Sequence, residues 1–409
     1  MTHRERVIAA LNHQEPDRVP IDLSGHRSSG IAGMAYHRLR AALGLQPKPV
    51  RIYDPVQQIA IVHDDVLDRF GVDTIELGRA FAHEDGYWVD WTLPDGAPCQ
   101  MPAWSAPERE EKRWVIKSPT GRVIAQMPDG AWYFEQTYWP FFEEDDDPER
   151  LPELLDECMW TGLASPPGPI VAGEEGGAVF RAGARQLREQ SERAILGLFG
   201  GNLHEFGQFF YRIDKWLMML AGEPDRVNRF LDKVVEMHLA ALEQFLGAVG
   251  KHIDVILFGD DLGMQSGPQM SPAMYRDIFK PRHALLWRRA KELADVKVML
   301  HCCGGVRELL PDLIDAGLDA INPVQISCNG MEAAALKRDF GGQMVFWGGG
   351  CDTQDILPNG TPEQVAKHTR EQVAHLKRGG GFVFQQVHNI LANVPAKNII
   401  AMFDAIHEA

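Results

Sequence analysis

The second half of the chain repeats one unit. Apolar, strand-like runs occur at Ala194–Phe199, Asp254–Phe258, Val296–Leu300, Asp319–Asn322, Met344–Trp347 and Gly381–Phe384. Helical patterns separate them, at Asp225–Val249, Pro272–Leu293, Val306–Ala316, Glu332–Phe340, Pro362–Leu376 and Lys397–Ile406. Runs that are apolar throughout belong to strands covered on both faces, which means a parallel sheet flanked by helices. This alternation sets in from about Ile170, and two earlier runs, Arg18–Asp22 and Asp73–Leu77, bring the strands to eight. Eight β/α units predict an α/β fold of the closed (β/α)8 TIM-barrel type. An open doubly wound sheet is the alternative, but no GxGxxG follows the first strand.

The remaining elements are read locally. Thr2 followed by Glu5 caps a first helix that ends near Asn12. Helices are expected over Gly30–Leu43 and Pro55–Phe70. Between 86 and 142 the periodicity changes to aromatic and β-branched runs at Tyr87–Trp91, Arg113–Lys117, Arg122–Gln126 and Trp132–Tyr138. Turn signals at Pro94-Asp-Gly96 and Pro128-Asp-Gly130 separate them, so this stretch is a β-meander insertion. The acidic run Glu143–Asp147 and Pro148 read as a solvated helix start. The whole chain, 1–409, is thus taken as one barrel domain with the 86–142 insertion inside it.

Composition narrows the function classes. Lys and Arg number 41 and Asp and Glu 57, a formal charge of −16. Such a surface repels phosphate backbones and anionic lipid, so nucleic acid and membrane are not expected partners. No run approaches the roughly 20 apolar residues of a membrane span, and the opening segment shows neither a long apolar run nor a small-residue cleavage site. Six cysteines in 409 residues are too few for a disulfide scaffold. These features predict a cytoplasmic protein.

Polar residues gather directly after the late strands. They are Gly259-Asp260-Asp261-Leu-Gly263, His301-Cys302-Cys303-Gly-Gly305, Asn322-Pro-Val-Gln325, Gly348-Gly-Gly-Cys351-Asp352-Thr-Gln354 and His388-Asn389. In a barrel all these strand ends share one mouth, where the chemistry of this fold is found. A turn or capping role accounts for one such group more readily than for five. His301-x-Cys303 has ligand spacing for a borderline-soft cation, because residues i and i+2 of a strand point the same way. Cys351 could supply a third ligand and leave one position open. His388 competes for that place, or serves as a general acid or base. Cys302 is read as core. Asp260 and Asp261 are candidate general acid/base groups or a substrate clamp, although either could cap a helix. Asp352 is a candidate substrate contact or N-cap. Arg27, beside His26 after the first strand, suits a substrate carboxylate, and Tyr53 and Gln325 complete the candidate substrate contacts.

These residues resemble the uroporphyrinogen decarboxylase family, in particular its corrinoid-linked methyltransferase-like branch. The resemblance is carried by the opening Arg4-Glu-Arg-Val-Ile-Ala-Ala-Leu-Asn-His-Gln-Glu-Pro-Asp-Arg-Val-Pro20 and by the blocks above, with Val387-His-Asn-Ile390 and Pro395. It spans nearly the whole chain except the insertion. It implies a (β/α)8 barrel and, in the methyltransferase branch, zinc held by an His-x-Cys pair and a distant Cys. Such members activate a thiol and exchange a methyl group with a separate protein that carries methylcobalamin or a related corrinoid. His301 and Cys303 match the pair. The third family thiol follows the last strand, where this chain has Val387 and His388, so Cys351 would have to replace it. The decarboxylase branch implies an Arg-rich N-terminal signature, and here Leu23-Ser-Gly-His-Arg-Ser-Ser29 holds a single Arg. His388 resembles a histidine of both branches.

Three functions follow in order. The first is zinc-assisted methyl transfer between a small methylated compound or thiol and a corrinoid protein. The second is a metal-independent decarboxylase acting on a small carboxylated substrate. The third is a non-catalytic barrel whose aromatics (Trp88, Trp91, Trp104, Trp132, Trp139) dock a partner or a second copy as a homodimer. The alternative for those aromatics is that they pack over the barrel itself.

Overall fold

The computed structural model describes residues 1–81, 85–143, 146–163 and 173–408. The boundary expected near Ile170 and part of the acidic run, Glu144 and Asp145, lie outside them. Seven parallel strands form one curved sheet: β1 (Thr74–Glu76), β2 (Ala194–Gly200), β3 (Val255–Gly259), β4 (Lys297–His301), β5 (Ala320–Asn322), β6 (Val345–Trp347) and β7 (Phe382–Val383). Their spatial order is their chain order. Residues 20–22 close the ring between β7 and β1. Ile21 bridges Phe384 in parallel, Asp22 N–H donates to the Phe384 carbonyl, and Asp73 N–H donates to the Ile21 carbonyl. The eighth run is thus present as a bridge rather than a full strand.

Side chains inside and outside the ring follow the two-residue period of a strand. Leu196, Val255, Leu257, Met299, Val345, Trp347 and Val383 fill the interior with Val7, Ala10 and Leu11 of the first helix, His3–Leu11. That helix starts with the expected capping box of Thr2 and Glu5. It closes the N-terminal end of the barrel, where Arg4 meets Asp254 and Arg6 meets Asp73, each at 2.7 Å. A larger apolar cluster lies between the strands and the outer helices.

Helices over Pro224–Val249, Lys280–Leu293, Ala333–Phe340, Pro362–Leu376 and Ala396–His407 occupy the expected positions. The helix expected over Pro55–Phe70 is shorter. Only Asp64–Arg69 is helical, because Ile59–Ala60 pairs antiparallel with Ile52–Asp54. The insertion contains an antiparallel hairpin, Trp88–Thr92 with Pro98–Pro102, turning at the expected Pro94-Asp-Gly96. A meander of Glu108–Glu110, Arg113–Lys117, Val123–Pro128 and Glu135–Gln136 follows. The strand Pro98–Pro102 was not expected from the sequence. Trp88 is buried, and Trp91 and Trp104 pack on a small cluster built around Ile116, Ile124, Met127 and Phe134. Trp132 is 40% exposed. Among the described residues, no helix is long and apolar enough to cross a membrane.

Candidate active site

Strand register decides which side chains meet at the C-terminal rim. His301, the last residue of β4, stands level with Gly259 of β3 and Asn322 of β5. The two adjacent loops then approach at glycines: a Cβ on Gly304, whose φ is +91°, would lie 2.3 Å from the carbonyl carbon of Gly263. Gly304 N–H donates to Gln325 Oε1 at 2.8 Å, and Cys303 N–H donates to Asp261 Oδ1 at 2.7 Å. These bonds hold the Cys303 thiol beside the imidazole.

His301, Cys303 and His388 form one group whose ligand atoms all lie within 4.8 Å of one another. His301 Nε2 is 3.4 Å from Cys303 Sγ, 3.4 Å from Ser28 Oγ and 3.8 Å from Asp261 Oδ1. The rings of His301 and His388 are 5.4 Å apart at 64°. On the far side, His301 Nδ1 is 2.8 Å from Asn322 Oδ1. Asn322 Nδ2 donates to the Trp347 carbonyl and to Gln385 Oε1 at 2.9 and 2.8 Å, which leaves Oδ1 as the acceptor facing the ring. His301 therefore carries its proton on Nδ1, and its Nε2 lone pair is aimed at the thiol. Burial lowers the His301 pKa, and it lowers that of His388 to about 3 with help from His301 and His26. Burial and the Asp261 charge push the Cys303 thiol well above its ordinary value.

Two neutral imidazoles and a thiol that needs a positive charge to ionise suit a zinc-type cation. A separation of 3.4 Å between nitrogen and sulfur can be spanned by one cation at about 2.0–2.3 Å from each. The residues present fit the group.

Cys351 is not brought into this cluster. It follows β6 at the same rim, but its thiol is fully buried, 3.8 Å from the carbonyl of Asp352 and against Thr369 on the outer helix. The chain turns outward at Gly348-Gly-Gly350, and the place expected for Cys351 is held by His388. Cys302 is core, its sulfur accepting the Leu262 N–H at 3.3 Å.

The other candidates separate in the same way. A cavity of about 570 Å³ opens in front of the cluster and is lined by His26, Arg27, Asp261, His301 and His388 among others. Asp260 is turned away from it. Its oxygens accept the N–H groups of His204 and Glu205 at 3.0 and 2.8 Å and meet His283 Nε2 at 3.1 Å. Burial raises its pKa, but His283 and these N–H groups outweigh burial and hold the carboxyl below its ordinary value. Asp260 is thus the cap of the helix His204–Tyr211 rather than an acid/base group. Asp352 Oδ1 accepts the N–H groups of Asp355 and Ile356 at 2.7 and 3.2 Å at the start of Ile356–Asn359, and the side chain does not line the cavity. Gln325 is used on the Gly304 loop. Tyr53 lies in a small side pocket with Ser24, Glu76 and Arg79. Arg27 is in the cavity wall, 3.3 Å from Asp54 Oδ2, and His26 Nε2 is 3.1 Å from Gln385 Oε1.

Several site residues were missed in the sequence. Glu205 and Asn202 line the cavity, with Asn202 Nδ2 donating to Glu205 Oε2 at 2.7 Å. Burial, Asp261 and Asp260 raise the Glu205 pKa well above its ordinary value. The signal was available: Gly200-Gly-Asn202 follows β2 as the other polar clusters follow their strands. Aromatic rings form the opposite wall. Trp160 stacks on Phe209 at 5.8 Å, Phe209 meets Phe206 at 6.4 Å, and Phe206 meets His238 edge-on at 5.3 Å.

A sequence profile of the uroporphyrinogen decarboxylase (URO-D) family matches residues 179–409, more than half of the chain. The chain belongs to the URO-D family. The matched stretch contains the cluster, Asp261, Glu205 and six of the seven strands. Two curated relatives align with part of the chain. A methylated-thiol–coenzyme M methyltransferase of Methanosarcina mazei is 32% identical over 149 residues, 36% of each chain. A uroporphyrinogen decarboxylase of Legionella pneumophila is 26% identical over 143 residues, 35% of this chain and 38% of that one. Both alignments span little more than a third of the relatives' length. A solved methyltransferase from Methanosarcina mazei superposes over 100% of this chain and 99% of its own, with a TM-score of 0.57 at 18% identity. That likeness speaks for the shared URO-D-type barrel.

Proposed function

We propose that this URO-D protein is a methyltransferase that moves a methyl group between a small methylated compound or thiol and a corrinoid protein. The observation that carries the reading is the His301–Cys303–His388 cluster, whose two histidines line an open cavity. The similarity to a methylated-thiol–coenzyme M methyltransferase gives it direction. His301, Cys303 and His388 would hold a zinc ion, which when bound lowers the pKa of a coordinated thiol and makes it a nucleophile at neutral pH. Asn322 orients His301, and Asp261 fixes the Cys303 backbone. Arg27 and His26 face the substrate.

The test is elemental analysis of purified protein together with methyl transfer to or from methylcobalamin. About one zinc per chain is expected, lost in Cys303→Ser. Full activity in rigorously metal-free protein overturns the reading.

A second reading, decarboxylation without metal, draws on one further observation. Glu76 lies near Arg27 and His26, and burial raises its pKa to about 7. Arg27 would hold a substrate carboxylate as CO2 leaves, and a carboxylic acid would return a proton to the carbon that keeps the electron pair. Metal dependence separates the two.

A further inference from the structure

We infer that Trp160 is a specificity-determining residue: with Phe209 it seats a flat, uncharged aromatic ring as the body of the methylated substrate, the methyl-bearing end lying toward His301. The inference rests on the methyltransferase reading for its biological role, but ring binding is measured apart from methyl transfer.

The cavity has two unlike sides. Around the cluster the groups are polar. Ser28 Oγ and Asp261 Oδ1 lie 3.4 and 3.8 Å from His301 Nε2, and Asp261 also takes the Cys303 N–H at 2.7 Å. The end of β2 and the helices between β2 and β3 supply an apolar side instead, with Phe199, Phe209 and Met237. Leu155 and Trp160 join them, and all five are only half-buried. Apolar side chains left open inside a cavity gain by being covered. The room of about 570 Å³ falls in the range that encloses a molecule of ring size or larger, and a one- or two-carbon compound would leave these side chains wet.

Ring geometry narrows the occupant from apolar to aromatic. Trp160 and Phe209 stack at 5.8 Å with 27° between their planes, Phe209 lies 6.4 Å from Phe206, and Phe199 meets Phe258 at 5.3 Å and 64°. The wall thus offers faces and edges, the two arrangements in which aromatic pairs attract beyond the area they bury. Glu205 shares this wall with one oxygen on Asn202 Nδ2, and burial with Asp261 and Asp260 pushes it toward the neutral acid, which suits an uncharged neighbour. The two principal rings have separate supports. Phe209 rides on the helix His204–Tyr211, whose first N–H groups Asp260 holds. Trp160 is braced from outside the barrel by Ile116, Ile124 and Met127. Its ring position is therefore set independently of the residues that would carry out the chemistry.

The experiment is a ligand-observed NMR titration of the purified full chain with anisole, with its saturated counterpart cyclohexyl methyl ether, and with dimethyl sulfide. Anisole should bind about two- to tenfold tighter than the saturated ether, and at least about tenfold tighter than dimethyl sulfide. Trp160→Leu keeps apolar bulk, so it should remove most of the anisole margin and leave affinity for the saturated ether within about twofold. Phe209→Leu should act likewise and carries this arm if Trp160→Leu does not fold. Equal or tighter binding of the saturated ether or of dimethyl sulfide by the wild-type protein overturns the inference, as does no anisole binding at its solubility limit. A full margin retained in a folded Trp160→Leu overturns the assignment of Trp160. An anisole margin in protein that binds no zinc would sink the methyltransferase reading and leave this one standing. Zinc-dependent methyl transfer from dimethyl sulfide with no anisole margin would do the reverse.

Discussion

The Nδ1 of His301 and the Oδ1 of Asn322 lie 2.8 Å apart, on neighbouring strands whose register makes the two residues partners. The bond sets the tautomer of the imidazole and so which nitrogen faces Cys303. Asn322→Leu keeps the bulk and removes the acceptor. It should weaken zinc binding about 10- to 100-fold, the usual effect of losing a partner that orients a histidine ligand. Competition with a chromogenic chelator measures this. Unchanged affinity would mean that His301 does not ligate through Nε2.

The two rim thiols should behave differently. Cys303→Ser is expected to lose the metal. Cys351→Ser should retain it and cost only about 1–2 kcal/mol of stability, since it places a hydroxyl in a buried site close to Thr369. Zinc content and chemical unfolding of the two variants decide the point. Metal loss from Cys351→Ser with an intact fold would restore Cys351 as a ligand.

Asp260 is expected to matter for folding rather than chemistry. Asp260→Ala removes an acceptor for two helix N–H groups and the partner of buried His283, and should destabilise the protein by about 3 kcal/mol. Activity per folded molecule should fall only as Glu205 and the aromatic wall loosen. A large loss of activity with an unchanged melting temperature would show a direct role.

Glu76 makes stability depend on pH. Its carboxyl ionises near 4.5 in the unfolded chain and near 7 when folded, mainly through burial. Below pH 4.5 both states hold the proton and its stabilising contribution is complete. Between 4.5 and 7 the unfolded chain releases its proton first, so stability falls as pH rises, and above 7 the contribution is gone. Glu76→Gln cannot ionise and should gain on the wild type by up to about 3 kcal/mol above pH 7. Urea unfolding at pH 5 and pH 8 tests this. Parallel pH profiles for the two proteins would refute it.

Most of the barrel was legible because its strands announce themselves. Runs such as Val296–Leu300 are apolar on both faces, and the helices between them carry a clear 3.6-residue period. The first strand was placed correctly, but its reduction to a bridge at Ile21 depends on the Phe384 and Asp73 partners far along the chain. The Pro55–Phe70 segment misled because its apolar spacing fits a helix, while Ile59 and Ala60 are claimed by the strand at Ile52–Asp54. At the site, sequence located the rim but not side-chain direction. His301 and Cys303 share a face by the two-residue rule. Cys351 follows three glycines, where no such rule holds. Asp260 and Asp261 are adjacent and so point apart, one to a helix start and one to the cavity, and only tertiary packing says which.

Trp160 ties the cavity to the β-rich insertion. Its ring lines the cavity and rests on the cluster of Ile116, Ile124 and Met127, none of which comes near the His301 group by sequence. Apolar residues of the 86–142 stretch therefore back one wall of the cavity. Exchanging them would tilt one ring and reshape what fits, while the histidines and the thiol stay untouched, so descendants of this chain could change diet without rebuilding their chemistry.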